Sequence, residues 1–259
     1  MSGFDPTWLA LREGYDHAAR DPALTAAFIQ ALGPSPRLVE LGCGSGSNLR
    51  YLFPQLPAAQ RWICVDRDPT LLELLETAAP PEIDVETRCL DLASNLDDLP
   101  IEPGVGVTAS ALLDLTSASW LEAFARRCRE VPVLIVLSFD GRLDWRPADP
   151  ASEPIRDAFL RHQQRDKGFG PSLGPAAVTY LAERFRDLGH EVRLARSDWE
   201  LDATDDTMLE AMLAGVASAA GEIDPALPLQ TWLKRRRADL AAGRLALTVG
   251  HLDLLALPR

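Results

Sequence analysis

"VELGCGSGSN", residues 39–48, sets three glycines, Gly42, Gly44 and Gly46, at alternate positions between an apolar run and a polar turn. Glycine has no Cβ, so a loop of this kind turns tightly and lets the backbone come close to a ligand. "RLVEL" leads into it as a short strand, and a helix follows from about Ser47 until Pro54. The first N–H groups of a helix have no partner inside it, so strand, glycine turn and helix start together form a ready site for a polar ligand.

Outward from this loop, strand and helix signals alternate. "RWICVD" reads as a second strand, and Asp68-Pro69 starts the helix "TLLELLETAA". "IDVETRCLD" and "VGVTAS" are strands three and four. The helix "SASWLEAFARRCRE" has Ser119 and Glu122 at capping-box spacing, and "VPVLIVLSF" is strand five. "AAVTYLAERFRDLGH" with "EVRLARSDW" repeats the unit, and "RLALTVGHLDLLAL" is a last strand. Continuous apolar strands alternating with helices predict an α/β fold: a doubly wound, mostly parallel sheet with helices on both faces. Asp5-Pro6 and Asp21-Pro22 start two earlier helices, the second stopping at Gly33. The organisation predicted is a helical cap over 1–34 and a main domain over 35–259. Within that domain lie a cover segment, about 144–175, and a helical insertion, about 203–243. The cover holds five prolines; it reads either as a lid on the sheet's edge or as a plain surface loop.

The chain has 259 residues, a net charge of −12 and a pI near 4.8. Such a field repels phosphate backbones, so nucleic acid is not an expected partner. The basic run Lys234–Arg237 fans around a helix and reads as a solvated face. No apolar run reaches membrane-spanning length, and the N-terminus shows no export signal; a cytoplasmic protein is expected. Cys43, Cys64, Cys89 and Cys128 match no zinc or CxxC spacing, so no metal is expected. Cys64 and Cys89 read as buried, inert thiols.

A glycine loop alone leaves the ligand open. Asp66, closing the second strand, could accept both hydroxyls of a ribose, which suits a nicotinamide dinucleotide as well as S-adenosylmethionine (SAM). Three features separate these. Ser47 stands where the dinucleotide fingerprint needs glycine or alanine, and two helices precede the first strand. Glu40 lies just before the loop, where an acid suits a cationic amino-acid tail and repels a pyrophosphate.

At these residues the sequence resembles the class I, Rossmann-like SAM-dependent methyltransferases, and the order of elements extends the likeness over about residues 35–257. The resemblance implies a seven-stranded sheet whose last strand runs antiparallel between the fifth and sixth. It implies that Gly42, Gly44 and Gly46 line the methionine and ribose of SAM, that Asp66 holds the ribose hydroxyls, and that Arg67 lies beside the adenine. Asp91 would bond the adenine amino group and Leu92 would offer its backbone N–H. Ser110 and Ala111, with Asp114 as a further candidate, would pass the methyl group. The N-terminal helix would cap the cofactor, with Arg12, Tyr15, Asp16 and Arg20 as its polar candidates. The helices between Trp199 and Arg244 depart from the family's usual hairpin; substrate contacts or a homodimer interface are alternatives there.

Methyl transfer is an in-line displacement governed by positioning, with a general base as an added aid. His162 is the candidate base. In "SEPIRDAFLRHQQRDKG", capped by Ser152 and ended by Gly168, it shares a helix face with Ile155, Ala158 and Phe159, predicted to point at the pocket. A buried structural histidine is the alternative. Asp140, closing the fifth strand, is the second catalytic candidate, or else a loop cap. His251 is expected mid-strand, away from the carboxyl edge, and His17 and His190 have no supporting context. Trp145, Phe169 and Tyr180 could wall an acceptor or serve only packing. The function expected is methyl transfer from SAM to a small-molecule acceptor. "SALL" after strand four, in place of an "NPP"-type motif, argues against a base or glutamine amide. A non-catalytic SAM-binding scaffold or sensor, or an NAD-dependent oxidoreductase, are the alternatives.

Overall fold

A computed structural model describes residues 5–259; the first four residues of the expected cap, and the end of the chain read for an export signal, lie outside that range. Helices α1 (Pro6–Ala19) and α2 (Pro22–Leu32) begin at the two Asp-Pro pairs. Asp5 accepts the Thr7 N–H and Asp21 accepts that of Leu24, while proline at the first helical position needs no donor. Then β1 (Arg37–Leu41), α3 (Ser47–Leu52), β2 (Arg61–Asp66), α4 (Pro69–Ala78), β3 (Asp84–Cys89), β4 (Val105–Ser110) and α5 (Ala118–Arg127) follow. The second half runs β5 (Val133–Arg146), α6 (Ser152–Gln163), α7 (Ala177–Asp187), β6 (Glu191–Arg196), β7 (Trp199–Leu201), α8 (Asp206–Ile223), α9 (Leu229–Ala241) and β8 (Ala246–Leu257).

The sheet has eight strands rather than seven, in the order β3-β2-β1-β4-β5-β8-β6, with β7 added beside β8. β1 to β5 are parallel, and β8 runs antiparallel between β5 and β6 as expected. Alternate side chains cover the two faces. Val39 and Val107 pack under α5 and α7, in a cluster with Phe124 and Phe185. Leu38 and Trp62 pack on the opposite side with Phe28, Leu49 and Leu75 of α2, α3 and α4.

The eighth strand exists because β5 and β8 run on past the parallel sheet. Their ladder continues from Val133↔Ala256 to Arg146↔Ala246, with register shifts between Ile135 and Ser138 and between Phe139 and Leu143. At the first shift Leu137 adopts φ 56°, and its N–H is taken by the buried Asp253 carboxylate at 2.8 Å. Asp253 also accepts the Asp21 N–H at 3.0 Å and the Ser197 hydroxyl at 2.6 Å. The extension carries a third core, in which Trp145, Ile155, Leu209, Leu213 and Trp232 join α6, α8 and α9 to the β5–β8 ribbon.

Several local expectations change. Ser117, not Ser119, caps α5, accepting the Trp120 N–H. Ser152 does not cap α6; its hydroxyl accepts the Trp232 indole N–H at 2.9 Å and a guanidinium N–H of Arg236 at 2.6 Å. α6 ends at Gln163, before Gly168. The expected cover is also shorter, since β5 keeps residues through Arg146 and α6 orders the next stretch. Cys89 is exposed because β3 is an edge strand, while Cys64 is buried. The basic run is not wholly solvated: Arg236 is fully buried, donating to the Pro147 carbonyl at 2.6 Å between Trp145 and Trp232. Among the described residues no helix is long and apolar enough to cross a membrane, and no group of three or more His, Cys, Asp or Glu side chains could hold a metal ion.

Because the fully buried Arg236 packs between Trp145 and Trp232 and donates to the Pro147 carbonyl and the Ser152 hydroxyl, Arg236→Ala should lower unfolding stability by about 3 kcal/mol in a urea titration. Arg237→Ala, which removes a surface pair with Glu210, should leave the midpoint nearly unchanged.

Candidate functional site

One cleft opens at the carboxyl ends of β1, β2 and β4, where a doubly wound sheet binds its ligands. Glu40 near the end of β1 forms part of its wall. It is 1% exposed, and its Oε2 has no hydrogen-bond partner. Burial pushes its carboxyl up to about 8, against the Asn48 amide and the Arg20 charge that favour ionisation. Arg20, itself buried, donates to the Asn48 side-chain oxygen at 2.5 Å and lies 4.0 Å from the Tyr51 ring centre. Burial brings its guanidinium down to about 10, partly offset by Asp253 and Glu40.

Gly42 and Gly44, at φ 62° and 52°, line the cleft. Gly46 does not. It caps α3 at φ 88°, and a Cβ there would come within 2.9 Å of Leu75, so it serves the packing of α3 on α4. Asp66 lines the cleft and braces the loop, accepting the Gly44 N–H at 2.9 Å and the Asp68 N–H at 3.0 Å. Arg67, Asp91, Leu92, Ser110 and Ala111 also reach the cleft. Asp91 accepts the Ala93 N–H at 3.1 Å, and the Leu92 carbonyl accepts the Trp120 indole N–H at 2.8 Å. Ala111 holds φ 51°, a conformation costly for any residue with a Cβ. Cys43 lies in the wall too, where burial keeps its thiol well above the usual range and so unreactive.

The cap and cover complete the enclosure. From α1 come Leu9, Arg12 and Asp16; from the loop after α6 come Lys167 and Phe169. Arg12 and Asp16 form a two-pronged pair at 2.8 and 3.1 Å, and the Arg12 guanidinium stacks 5.0 Å from the Trp199 ring centre. Tyr15 instead donates to Asp205, at 3.0 Å, outside the cleft. His17, for which the sequence offered no context, holds the cap down, its Nε2 lying 3.0 Å from the Ser47 carbonyl. Arg50 does the same, forking onto Glu13 at 2.7 and 2.6 Å and donating to the Ser45 carbonyl at 2.7 Å.

The catalytic candidates stand elsewhere. His162 is not in the cleft wall. α6 turns its apolar face, Ile155 and Ala158, onto α8, so the ring sits 3.3 Å from Glu222 Oε2 and 3.5 Å from Lys167 Nζ. Asp140 is also outside; it accepts from Arg142 Nε at 2.7 Å, while the rest of that guanidinium forks onto Asp198 at 2.8 and 2.6 Å. The second register shift of β5 places Asp140 in this ion cluster. Asp114 is not in the wall, although burial pushes its carboxyl up to about 6. Trp145 packs on Trp232, and Tyr180 donates to Glu122; of the three aromatic candidates only Phe169 reaches the cleft.

His251 corrects an expectation. It pairs with Phe139, beyond the point where Val136 meets Ser110 at the end of β4, so it stands at the carboxyl edge and not away from it. It is 4% exposed, burial pulls its imidazole down to about 3, and it rests 5.1 Å from the Trp199 ring. Lys167 was missed by sequence reasoning, although one signal was there: the chain has only two lysines against 24 arginines.

No protein-family model matches the chain, and no curated protein matches it in sequence. Solved structures do. A cyclopropane-fatty-acyl-phospholipid synthase-like protein from Lactobacillus casei ATCC 334 is 14% identical, with a TM-score of 0.59 over 99% of this chain and 95% of that one. YcgJ from Bacillus subtilis is 11% identical, TM-score 0.52, over 92% and 99%. BH2331 of Bacillus halodurans C-125, a provisionally assigned methyltransferase, is 13% identical, TM-score 0.51, over 91% and 99%. At such identities the likeness is one of fold: the chain has the Rossmann-like methyltransferase fold.

The Arg50–Glu13 fork is the main ionic tie between cap and glycine loop. Arg50→Ala should therefore speed amide hydrogen exchange across Pro6–Ala19 by about tenfold, with the central strands unaffected. The ionised Glu13 is stabilised by Arg50, which lowers its pKa. The tie is thus present at neutral pH and lost as acid protonates Glu13.

Proposed function

We propose that this chain is a SAM-dependent methyltransferase that acts on a small-molecule acceptor. The observation that carries the reading is Glu40, a buried carboxyl in the cleft wall with one oxygen unpaired. A buried polar atom without a partner is costly, and a ligand ammonium beside it would remove that cost. A dinucleotide pyrophosphate would not, since it would add negative charge at the same place. Ser47 also remains where the dinucleotide fingerprint wants a small apolar residue.

The other residues fit the same ligand. Gly42 and Gly44 present bare backbone, and a Cβ on Gly42 would come within 3.1 Å of Leu112. Asp66 retains acceptor capacity for ribose hydroxyls, and Asp91, Leu92 and Arg67 would meet the adenine. When bound, SAM supplies a methyl carbon activated by a sulfonium. Ser110 and Ala111 would flank that end, and Phe169 and α1 would keep water out, alignment being the main source of rate. Walls drawn from both the cap and the cover loop suit a small acceptor, and the net charge of −12 disfavours nucleic acid.

Calorimetric titration with SAM, its demethylated product S-adenosylhomocysteine (SAH) and NAD tests the reading. Both adenosyl ligands should bind, and Asp66→Ala should weaken them tenfold or more. Binding of NAD alone would overturn the reading in favour of an oxidoreductase. Tight SAM binding without methyl transfer to any of a broad set of acceptors would leave a scaffold or sensor.

Glu40 adds a signed pH prediction. At pH 7 the free carboxyl, with its pKa near 8, is largely protonated. Pairing with an ammonium favours the carboxylate, so binding should release a proton, and affinity should rise with pH and level off above about 8. Titrations at pH 7 in buffers of different ionisation enthalpy would reveal the release, and Glu40→Gln should abolish it.

A further inference from the structure

The chain takes its basic residues almost entirely as arginine, which keeps its proton in proteins; lysine can give its proton up. One of the two lysines, Lys167, lies in the cleft wall. Its loop is built to hold it there. The Asp166 carboxylate accepts the N–H groups of Gly168 at 2.7 Å and Gly170 at 3.0 Å. Both glycines take left-handed φ values, 111° and 82°. The Ser172 hydroxyl, 2.7 Å from the Asp114 carbonyl, anchors the loop to the segment after β4.

Lys167 forms no ion pair among the described residues. Its Nζ instead contacts His162 Nδ1 at 3.5 Å, and His162 Nε2 lies 3.3 Å from the half-exposed Glu222 carboxylate. Glu222 holds the proton of the neutral ring on Nε2, which leaves the Nδ1 lone pair facing Lys167. The charged groups around the amine are Arg165 at the end of α6, Glu222 on α8 and Asp114 after β4. Arg12 from α1 lines the same cleft but is held by Asp16. Burial, with Arg165, lowers the lysine's affinity for its proton; Glu222 and Asp114 oppose this.

The geometry points to Lys167 as the proton acceptor of the methyl-transfer step, with His162 and Glu222 as positioning residues that lead the proton to solvent. This rests on the methyltransferase reading and names the sulfonium donor as co-reactant. The acceptor's lone pair forms the new bond to the methyl carbon, while the S–CH3 bonding pair returns to sulfur. The acceptor's X–H proton passes to the Lys167 amine, so the positive charge lost by the sulfonium reappears on the ammonium. That proton then moves to His162 Nδ1, while the Nε2 proton leaves to Glu222.

With two lysines, the test can be read without a known acceptor. Lysine labelled with 13C at Cε gives two NMR signals, and the Lys234→Arg variant leaves that of Lys167 alone. In the SAH complex Lys167 should titrate below Lys234. Glu222→Gln, which removes a charge that opposes deprotonation, should move the Lys167 midpoint lower still; an unmoved midpoint would show Glu222 uncoupled from the amine and overturn its part in the proposal. Replacing SAH by SAM, which differs by the cationic methyl, should lower it again, since Lys167 lines the cleft in which that charge would sit. Titration together with Lys234, or the same midpoint with SAM and SAH when both bind, overturns the proposal. If neither ligand binds, the methyltransferase reading itself fails, and the proposal with it.

Discussion

The carboxylate of Asp253 is the interaction on which the architecture turns. Buried on β8, it takes the N–H that the bulge at Leu137 frees from the ladder, the N–H of Asp21 at the start of α2, and the hydroxyl of Ser197. The Leu137 and Ser197 donors would otherwise be buried and unpaired, at a cost of about 1–3 kcal/mol each. Burial pushes the Asp253 pKa up, and these donors offset the rise only in part. The bulge in turn lets β5 and β8 continue beyond the parallel sheet, and that ribbon is what α6, α8 and α9 pack upon. The cover loop, and Lys167 with it, starts from α6.

A second constraint acts through charge. Acidic and basic groups meet in the buried layer between α1, α3 and the sheet, where Glu40, Asn48 and Arg20 form an incomplete set: one Glu40 oxygen and two Arg20 nitrogens have no partner. A finished structural network would leave none. In contrast, Arg142 with Asp140 and Asp198, on the other side of β8, is fully paired. Of the unfinished network Glu40 and Asn48 line the cleft, with Arg20 behind them, whereas the finished one stands outside the cleft wall.

Much of this was legible from residue order because the governing forces are local. Asp-Pro pairs start helices through one side-chain bond and one missing donor, and they do so at α1, α2 and α4. Glycines at positive φ mark the turn after β1. Nine of the ten residues read as cofactor ligands line one cleft, since all stand at or just past strand ends that a parallel sheet brings to one edge. Gly46 is the exception, and periodicity could not show that its neighbour would be Leu75 of another helix. For His162 the helix face was right but its destination was wrong: an apolar face seeks any apolar partner, and α8 was nearer than the cleft. His251 was misplaced because strand register is a relation between two segments, and a bulge shifts it.

By itself, then, the sequence determined the alternation of strands and helices, the glycine turn, and the acids that follow three of the strands. Those follow from backbone sterics, capping and side-chain period, which act over a few residues. Only the tertiary structure decided that Arg236 is buried, that β7 exists, that Asp140 belongs to an ion cluster, and that Lys167 faces the cleft. Each depends on which distant surfaces meet: a guanidinium is buried only where acceptors such as the Pro147 carbonyl and the Ser152 hydroxyl converge to receive it, and a lysine lines the cleft only where a loop is tied to hold it there.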